Sequence, residues 1–201
     1  MPGVTDLRHQ LVTALRRPAA ASSDFDLNPA MPLPEGRVLR PAAVLVGIIG
    51  TGAEPRLLLT KRASHLKHHP GQIAFPGGKV DPTDANADAA ALREAREEVG
   101  LDPAAVDVLG HLPAHETVTG FRITPVLGWI RADFVPVPER GEVEEVFSVP
   151  LRHVLNPDSF RVEQRIWHAQ PRYYYAAPFG PYYIWGATAR ILRGLADRMV
   201  P

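Results

Sequence analysis

The sequence predicts an α+β or α/β sandwich, a mixed sheet flanked by two unequal helices, and three observations predict it. Short strand-like runs recur from Ala42 to Trp185, separated by Gly, Pro and Asp/Asn turn signals. Ala87–Val99 is built almost wholly of Ala, Leu, Glu and Arg, all good helix formers. Ala187–Val200 places Ile191, Leu192 and Leu195 on one side of a second helix. Strands and helices with one apolar face each bury them by stacking in layers.

In chain order, Asp6–Arg17 carries Leu7, Leu11, Val12 and Leu15 at helical spacing and predicts a short amphipathic helix. Pro29, Pro32, Pro34 and Pro41 then make an extended connector. The expected division is a helix and Pro-rich extension over residues 1–36 and a domain over 37–201. Ala42–Ile49 and Arg56–Arg62 read as strands joined by a TGAEP turn, and Ile73–Phe75 as a third strand ended by a Gly77-Gly78 turn. For the central helix, Thr83, Asp84 and Asn86 are all N-cap candidates, and Gly100 suits the left-handed residue that ends it. Further strands are expected at Val106–Leu112, Ile123–Ile130, Glu142–Val149, Phe160–His168, Arg172–Ala176 and Tyr182–Trp185.

Composition narrows the function classes. Hydrophobic residues make up 45% and charged residues 22%, as in an ordinary globular chain of 201 residues. The formal net charge is zero, which argues against a general nucleic-acid binder. An anionic substrate would need a local cluster of cations or a metal. Without cysteine there is no disulfide, thiolate nucleophile or Cys-ligated zinc. The longest apolar run, Ala42–Gly50, is too short to span a bilayer, and the N-terminus lacks a signal-peptide core. The cytoplasm is therefore the expected location.

Chemistry concentrates in Arg93-Glu94-Ala95-Arg96-Glu97-Glu98-Val99-Gly100-Leu101. On a helix Glu94, Glu97 and Glu98 share a face within one turn, apart from the apolar stripe of Leu92, Ala95 and Val99. Crowded like charges destabilise a helix unless neutralised. A hard divalent cation is the natural neutraliser, and a solvated acidic face tempered by Arg93 and Arg96 is the bland alternative.

These residues resemble the Nudix box, G-x5-E-x7-R-E-U-x-E-E-x-G-U with U aliphatic. Its helical half stands here as REAREEVGL, and its loop half as Gly77-Gly78 followed by KVDPTD. Two departures stand out: Asp84 occupies the Glu position, and eight residues rather than seven separate it from Arg93. Upstream, LLLTKRASHLKHHPGQIAFPGG is similar to the signature of the coenzyme A diphosphatase branch, matching at Arg62, His69, Gly71, Gln72, Phe75 and Pro76. Downstream, TGFRITPVLGWI and IWGATARIL are similar to later blocks of that branch.

The resemblance implies a Nudix-fold α/β/α sandwich and hydrolysis of the diphosphate bond of coenzyme A or acyl-coenzyme A to 3′,5′-ADP and 4′-phosphopantetheine. It implies Mg²⁺ or Mn²⁺ held by Glu94, Glu97 and Glu98 with a carbonyl of Gly77 or Gly78, and Arg93 orienting a box glutamate. Arg62, His69, Gln72 and Lys61 are the expected substrate contacts. The general base stays open among Glu94, Glu116, Glu142, Glu144 and Glu145, with Glu142 and Glu145 ranked first. The aromatic run Tyr173–Tyr175, Phe179, Tyr182, Tyr183 and Trp185 serves either strand core or stacking on adenine. The expected partner is a small-molecule substrate, with no nucleic acid or membrane, and a homodimer is a further expectation. Two other readings stand beside this one: a Nudix hydrolase of another nucleoside diphosphate derivative such as ADP-ribose, and a non-catalytic nucleotide sensor.

Overall fold

A computed structural model describes residues 4–31, 36–167 and 169–200. In chain order its elements are α1 (Val4–Leu15), β1 (Ser22–Ser23), β2 (Arg40–Ile49), β3 (Arg56–Arg62), β4 (Ile73–Ala74), β5 (Gly77–Lys79), α2 (Ala87–Val99), β6 (Val106–His111), β7 (His115–Glu116), β8 (Phe121–Ile130), β9 (Val143–Pro150), α3 (Leu151–Leu155), β10 (Arg161–Trp167), β11 (Gln170–Ala176) and α4 (Gly186–Met199). Strands β1 to β9 form one mixed sheet, and β10 and β11 form a separate antiparallel hairpin. The sheet is mixed because β2 runs parallel to β8 over ten residue pairs while β3, β5 and β6 join antiparallel.

Alternation along the strands builds two cores. Val46, Ile48, Leu57, Leu59, Leu127 and Trp129 face α4 and the other terminal helices, while Ala43, Leu45, Leu58, Val126 and Ile130 face α2. The period-two pattern thus gives the expected three layers, with helices on both faces of the sheet. Helix α2 begins where Asn86 Oδ1 accepts from Ala89 N at 2.9 Å and ends at Gly100 with φ 73°. Of the three N-cap candidates, Asn86 holds the position.

The N-terminal helix packs into the larger core, where Leu11 is fully buried. Arg198 of α4 donates from Nε and Nη2 to Ala14 O and Leu15 O, at 3.0 and 2.8 Å. Arg17 in turn donates to Arg198 O at 2.7 Å and to Val200 O. Each helix thereby satisfies carbonyls that the other's C-terminus leaves free. Beyond α1, Asp24 joins three segments, through Val118 N at 2.9 Å, His115 Nε2 at 3.3 Å and Arg172 Nη2 at 3.5 Å. Burial alone would raise the Asp24 pKa, but these partners hold it below the ordinary value.

Two expectations are corrected. Tyr182–Trp185 is not a strand: it makes only isolated bridges, Phe179 to Tyr182 and Ala176 to Trp185, because the Gly180-Pro181 corner turns the chain and removes a donor. Gly77-Gly78 is not a turn but part of β5, paired with Val44 and Ala43 of β2. The strand expected to end at His168 includes a residue outside those described. Among the described residues, no helix is long and apolar enough to cross a membrane.

Candidate functional site

The site begins with β5 lying beneath α2. A Cβ on Gly77 would stand 2.5 Å from Ala43 O, and one on Gly78 would stand 2.6 Å from Glu94 Cδ and Oε1. Two glycines therefore let the strand approach β2 and let the Glu94 carboxylate rest directly on the backbone. Gly77 N donates to Glu98 Oε2 at 3.3 Å. Glu94 and Glu98, one turn apart on the same face of α2, thus both close onto the Gly77-Gly78 segment.

Glu98 is only 5% exposed. Burial pushes its pKa up to about 8, with the charges of Glu94 and Glu142 adding to the rise and the Gly77 N–H and Arg62 opposing it. Burial also raises Glu94; Arg93 opposes that, while Glu97 and Glu142 add to it. Glu98 is a buried carboxylate whose direct partner is one long backbone hydrogen bond, a costly anion as it stands. Positive charge placed beside it would return it to the ionised form.

Arg93 organises the outer side of the same turn. Its Nε and Nη2 meet Asp84 Oδ1 and Oδ2, both at 3.0 Å, while Nη1 reaches Glu94 Oε1 and Glu97 Oε2, also at 3.0 Å. Nη2 further donates to Lys79 O at 3.2 Å. The shared acidic face is thereby divided. Glu94 and Glu98 turn inward, whereas the Glu97 side chain is 58% exposed and drawn toward Arg93. Among the described residues, no three His, Asp or Glu side chains gather closely enough to enclose an ion.

The donor set nonetheless suits a hard divalent cation. Glu94 and Glu98 are carboxylates raised by burial and mutual repulsion, and Glu142 is near enough to raise both. Glu97 ends a flexible, exposed side chain on the same turn.

Alternation along β3 separates the expected substrate contacts. Arg62 lies on the α2 face, where its charge favours ionised Glu98, and its Nε is buried without a hydrogen-bond partner. His69 adopts a left-handed φ of 56°, and burial first, then the Arg62 charge, lowers its pKa. Gln72 bonds to the His69 side chain and so opposes that shift. Two backbone hydrogen bonds, Arg62 N to Gln72 O at 3.0 Å and Gly71 N to Arg62 O at 3.1 Å, bring these three residues together; of them Arg62 acts on Glu98, whereas His69 feels Asp24 and Gln72 Nε2 lies near Gly186 of α4.

Lys61 leaves β3 on the opposite face and donates to Glu144 Oε1 at 2.6 Å. A bulge between Lys61 and Arg62 makes Glu144 the extra residue of β9, which aims it at Lys61 and Ser64. Glu145 pairs across from Lys61 and accepts from Tyr182 Oη at 2.5 Å, away from Glu98. Glu116 sits on β7, 4.0 Å from Arg37. Of the acids ranked as general bases, Glu142 is the one whose charge reaches both Glu94 and Glu98.

Sequence reasoning missed one pairing: Asp84 is the bidentate partner of Arg93, and its signal was its place six residues after Gly78. Tyr182, Tyr183 and Trp185, expected as strand core or as a stacking surface, wall a cleft of about 450 Å³ on the Lys61 side of the sheet.

The NUDIX domain model matches residues 38–170. The chain is 45% identical over 157 residues to an uncharacterized Nudix hydrolase NudL of Escherichia coli K12, covering 78% of this chain and 81% of that protein. A NudL of Cronobacter sakazakii is 46% identical with the same coverage. Similar solved structures include an Ap4A hydrolase of C. elegans, with TM-score 0.48, 19% identity and coverage of 55% of this chain and 80% of that one. A MutT/nudix family protein of Enterococcus faecalis has TM-score 0.49 and 17% identity, covering 86% of this chain and 66% of the other.

Proposed function

We propose, from the premise that this chain belongs to the NUDIX domain family and is a phosphoanhydride hydrolase, that its substrate is coenzyme A or an acyl-coenzyme A. The observation that carries the hydrolytic part is Glu98: a buried carboxylate on the Gly77 amide, flanked by Glu94 and Glu142, in a helix turn ordered by Arg93. The substrate part rests on residues 57–78, whose pattern resembles the coenzyme A diphosphatase branch, and is supported by Arg62, whose charge acts on both Glu98 and His69.

Glu94, Glu97 and Glu98 would hold Mg²⁺ or Mn²⁺, with a backbone carbonyl of the Gly77-Gly78 segment. When bound, the ion neutralises the diphosphate and lowers the pKa of a coordinated water. The chain's own residues do the rest. Arg93, fixed by Asp84, holds Glu94 and Glu97 in place, a supporting role that typically matters ten- to a hundredfold. Arg62 offers its guanidinium to the phosphates. Glu142 accepts the proton of the attacking water. The new P–O bond forms as the anhydride P–O bond breaks, and the leaving phosphate takes the electron pair, giving 3′,5′-ADP and 4′-phosphopantetheine.

The test is a panel of coenzyme A, acetyl-coenzyme A, ADP-ribose and diadenosine compounds with Mg²⁺ or Mn²⁺, products being identified by mass. Release of 3′,5′-ADP with kcat/KM highest for the coenzyme A compounds is expected. Preferred cleavage of ADP-ribose overturns the substrate assignment. Glu97→Gln should abolish turnover in a folded protein, and wild-type turnover in that variant overturns the ion-binding set.

A further inference from the structure

The hairpin of β10 and β11 closes one of its edges and leaves the other open. Along β11 the Asn28 side chain takes the place of a neighbouring strand: its Nδ2 donates to Tyr173 O at 2.9 Å and its Oδ1 accepts from Tyr173 N at 2.8 Å. Pro171, two residues away and so on the same side of β11, removes a further donor there. Strand β10 has no such cover. Among the described residues, nothing outside the hairpin bonds the backbone of residues 161–166. Its residues include no Pro, Gly or Lys, and its register with β11 runs without a bulge, so it lacks the usual devices that stop an edge strand from pairing. On one face Val162 and Ile166 are 51% and 69% exposed.

The other face carries charge that the hairpin does not balance. Arg165 stands directly opposite Arg172, whose own carboxylate partner is Asp24 at 3.5 Å. The Arg165 guanidinium lies over the rings of Trp167 and Trp185 and, among the described residues, meets no carboxylate. Like charges directly opposite each other destabilise an antiparallel pair, and a carboxylate arriving beside Arg165 at the open edge would offset that.

A second copy of β10 supplies such a carboxylate. A two-fold axis normal to the sheet keeps each face of the strand on its own side, so an antiparallel register must centre on a residue. Centred on Val162 or Ile166, the pairing engages only three residues of the strand. Centred on Glu163 or Arg165, it sets that charge against its own copy. Centred on Gln164, it engages the whole strand: Glu163 faces the partner's Arg165 on both sides of the axis, and Val162 faces the partner's Ile166. We propose that β10 pairs with β10 of a second copy in this register, joining two hairpins into one four-stranded sheet. The pairing is independent of the chemistry at the carboxylate site. It is also a small interface, so the dimer should dissociate on dilution.

Sedimentation velocity over a dilution series tests it, and wild type should pass from dimer to monomer. Glu163→Arg and Arg165→Glu each set two like-charged pairs across the axis, and each should weaken self-association about tenfold or more. Mixed in equal amounts, the two variants again set guanidinium against carboxylate at both positions and should associate with each other about as strongly as wild type with itself. Local damage to the hairpin in either variant does not produce that recovery. Wild type that stays monomeric at every concentration, which would leave the edge to a different protein, overturns the proposal. So does a dimer that tolerates both single substitutions, or a mixture of the two variants that stays monomeric.

Discussion

Asp84 and Arg93 meet through two parallel hydrogen bonds of 3.0 Å, the fork of the guanidinium matched to both carboxylate oxygens. The match leaves Nη1 aimed at Glu94 and Glu97. An aspartate reaches Arg93 although its side chain is one carbon shorter than the glutamate of the usual pattern, and one extra residue separates the two. Replacing Asp84 by Asn puts a donor where Arg93 needs an acceptor. Turnover should fall about tenfold or more, with KM little changed. Steady-state kinetics of Asp84→Asn and Arg93→Lys check this, and unchanged kcat in both would show that the pair does not position the glutamates.

Gly77 and Gly78 should fail differently. Gly78→Ala places a methyl 2.6 Å from the Glu94 carboxylate, the far end of a flexible side chain that can swing away. The fold should survive with its melting temperature nearly unchanged, while turnover drops by about tenfold or more. Gly77→Ala places its methyl 2.5 Å from Ala43 O at a φ of 153°, so backbone must move and the melting temperature should fall. Parallel melting and activity measurements separate the two, and equal activity in Gly78→Ala and wild type would refute the role given to that contact.

Without divalent ion, Glu98 should make stability depend on pH. Its folded pKa of about 8 lies above the ordinary 4.5, so the folded state binds the proton more tightly than the unfolded chain. That contribution is complete below about pH 4.5, shrinks as pH rises, and is gone once pH passes about 8. Wild type in EDTA should therefore lose a few kcal/mol between pH 5 and 9, since a tenfold change in proton affinity corresponds to about 1.4 kcal/mol. Glu98→Gln should lack that slope and melt higher than wild type at pH 9. Identical slopes in denaturant titrations of the two proteins would remove the case for an uncompensated carboxylate.

Leu11 tests whether the N-terminal helix belongs to the core. It is fully buried among the residues that line α4, so Leu11→Ala should cost about 2–5 kcal/mol through lost burial and the cavity left behind. Urea unfolding measures it, and a loss under about 0.5 kcal/mol, typical of surface positions, would mean α1 is not packed as described.

Local signals made some elements readable and not others. Ala87–Val99 was legible to the residue because composition, cap and Gly100 all agree. Arg56–Arg62 was legible from the apolar run Leu57–Leu59 that follows the TGAEP turn. Strands β1 and β7 were not, since each is two residues long and exists only by pairing across the chain. Glycines at 77 and 78 suggested a turn, and only the proximity of β2 and Glu94 shows why side chains are excluded there. At the site, the helical spacing of the three glutamates was visible in sequence. Their unequal burial was not, because it depends on where β5 and Arg93 lie. The same holds for Lys61 and Arg62: adjacent in sequence, they serve opposite faces once β3 is placed in the sheet.

The reciprocal grip of Arg17 and Arg198 couples the stability of two helices that are far apart in the chain. Fraying of α4 releases the carbonyls of α1, and fraying of α1 releases those of α4, so neither end can melt alone. Amide hydrogens in both last turns should therefore exchange with solvent at a common rate, opening as one cooperative unit.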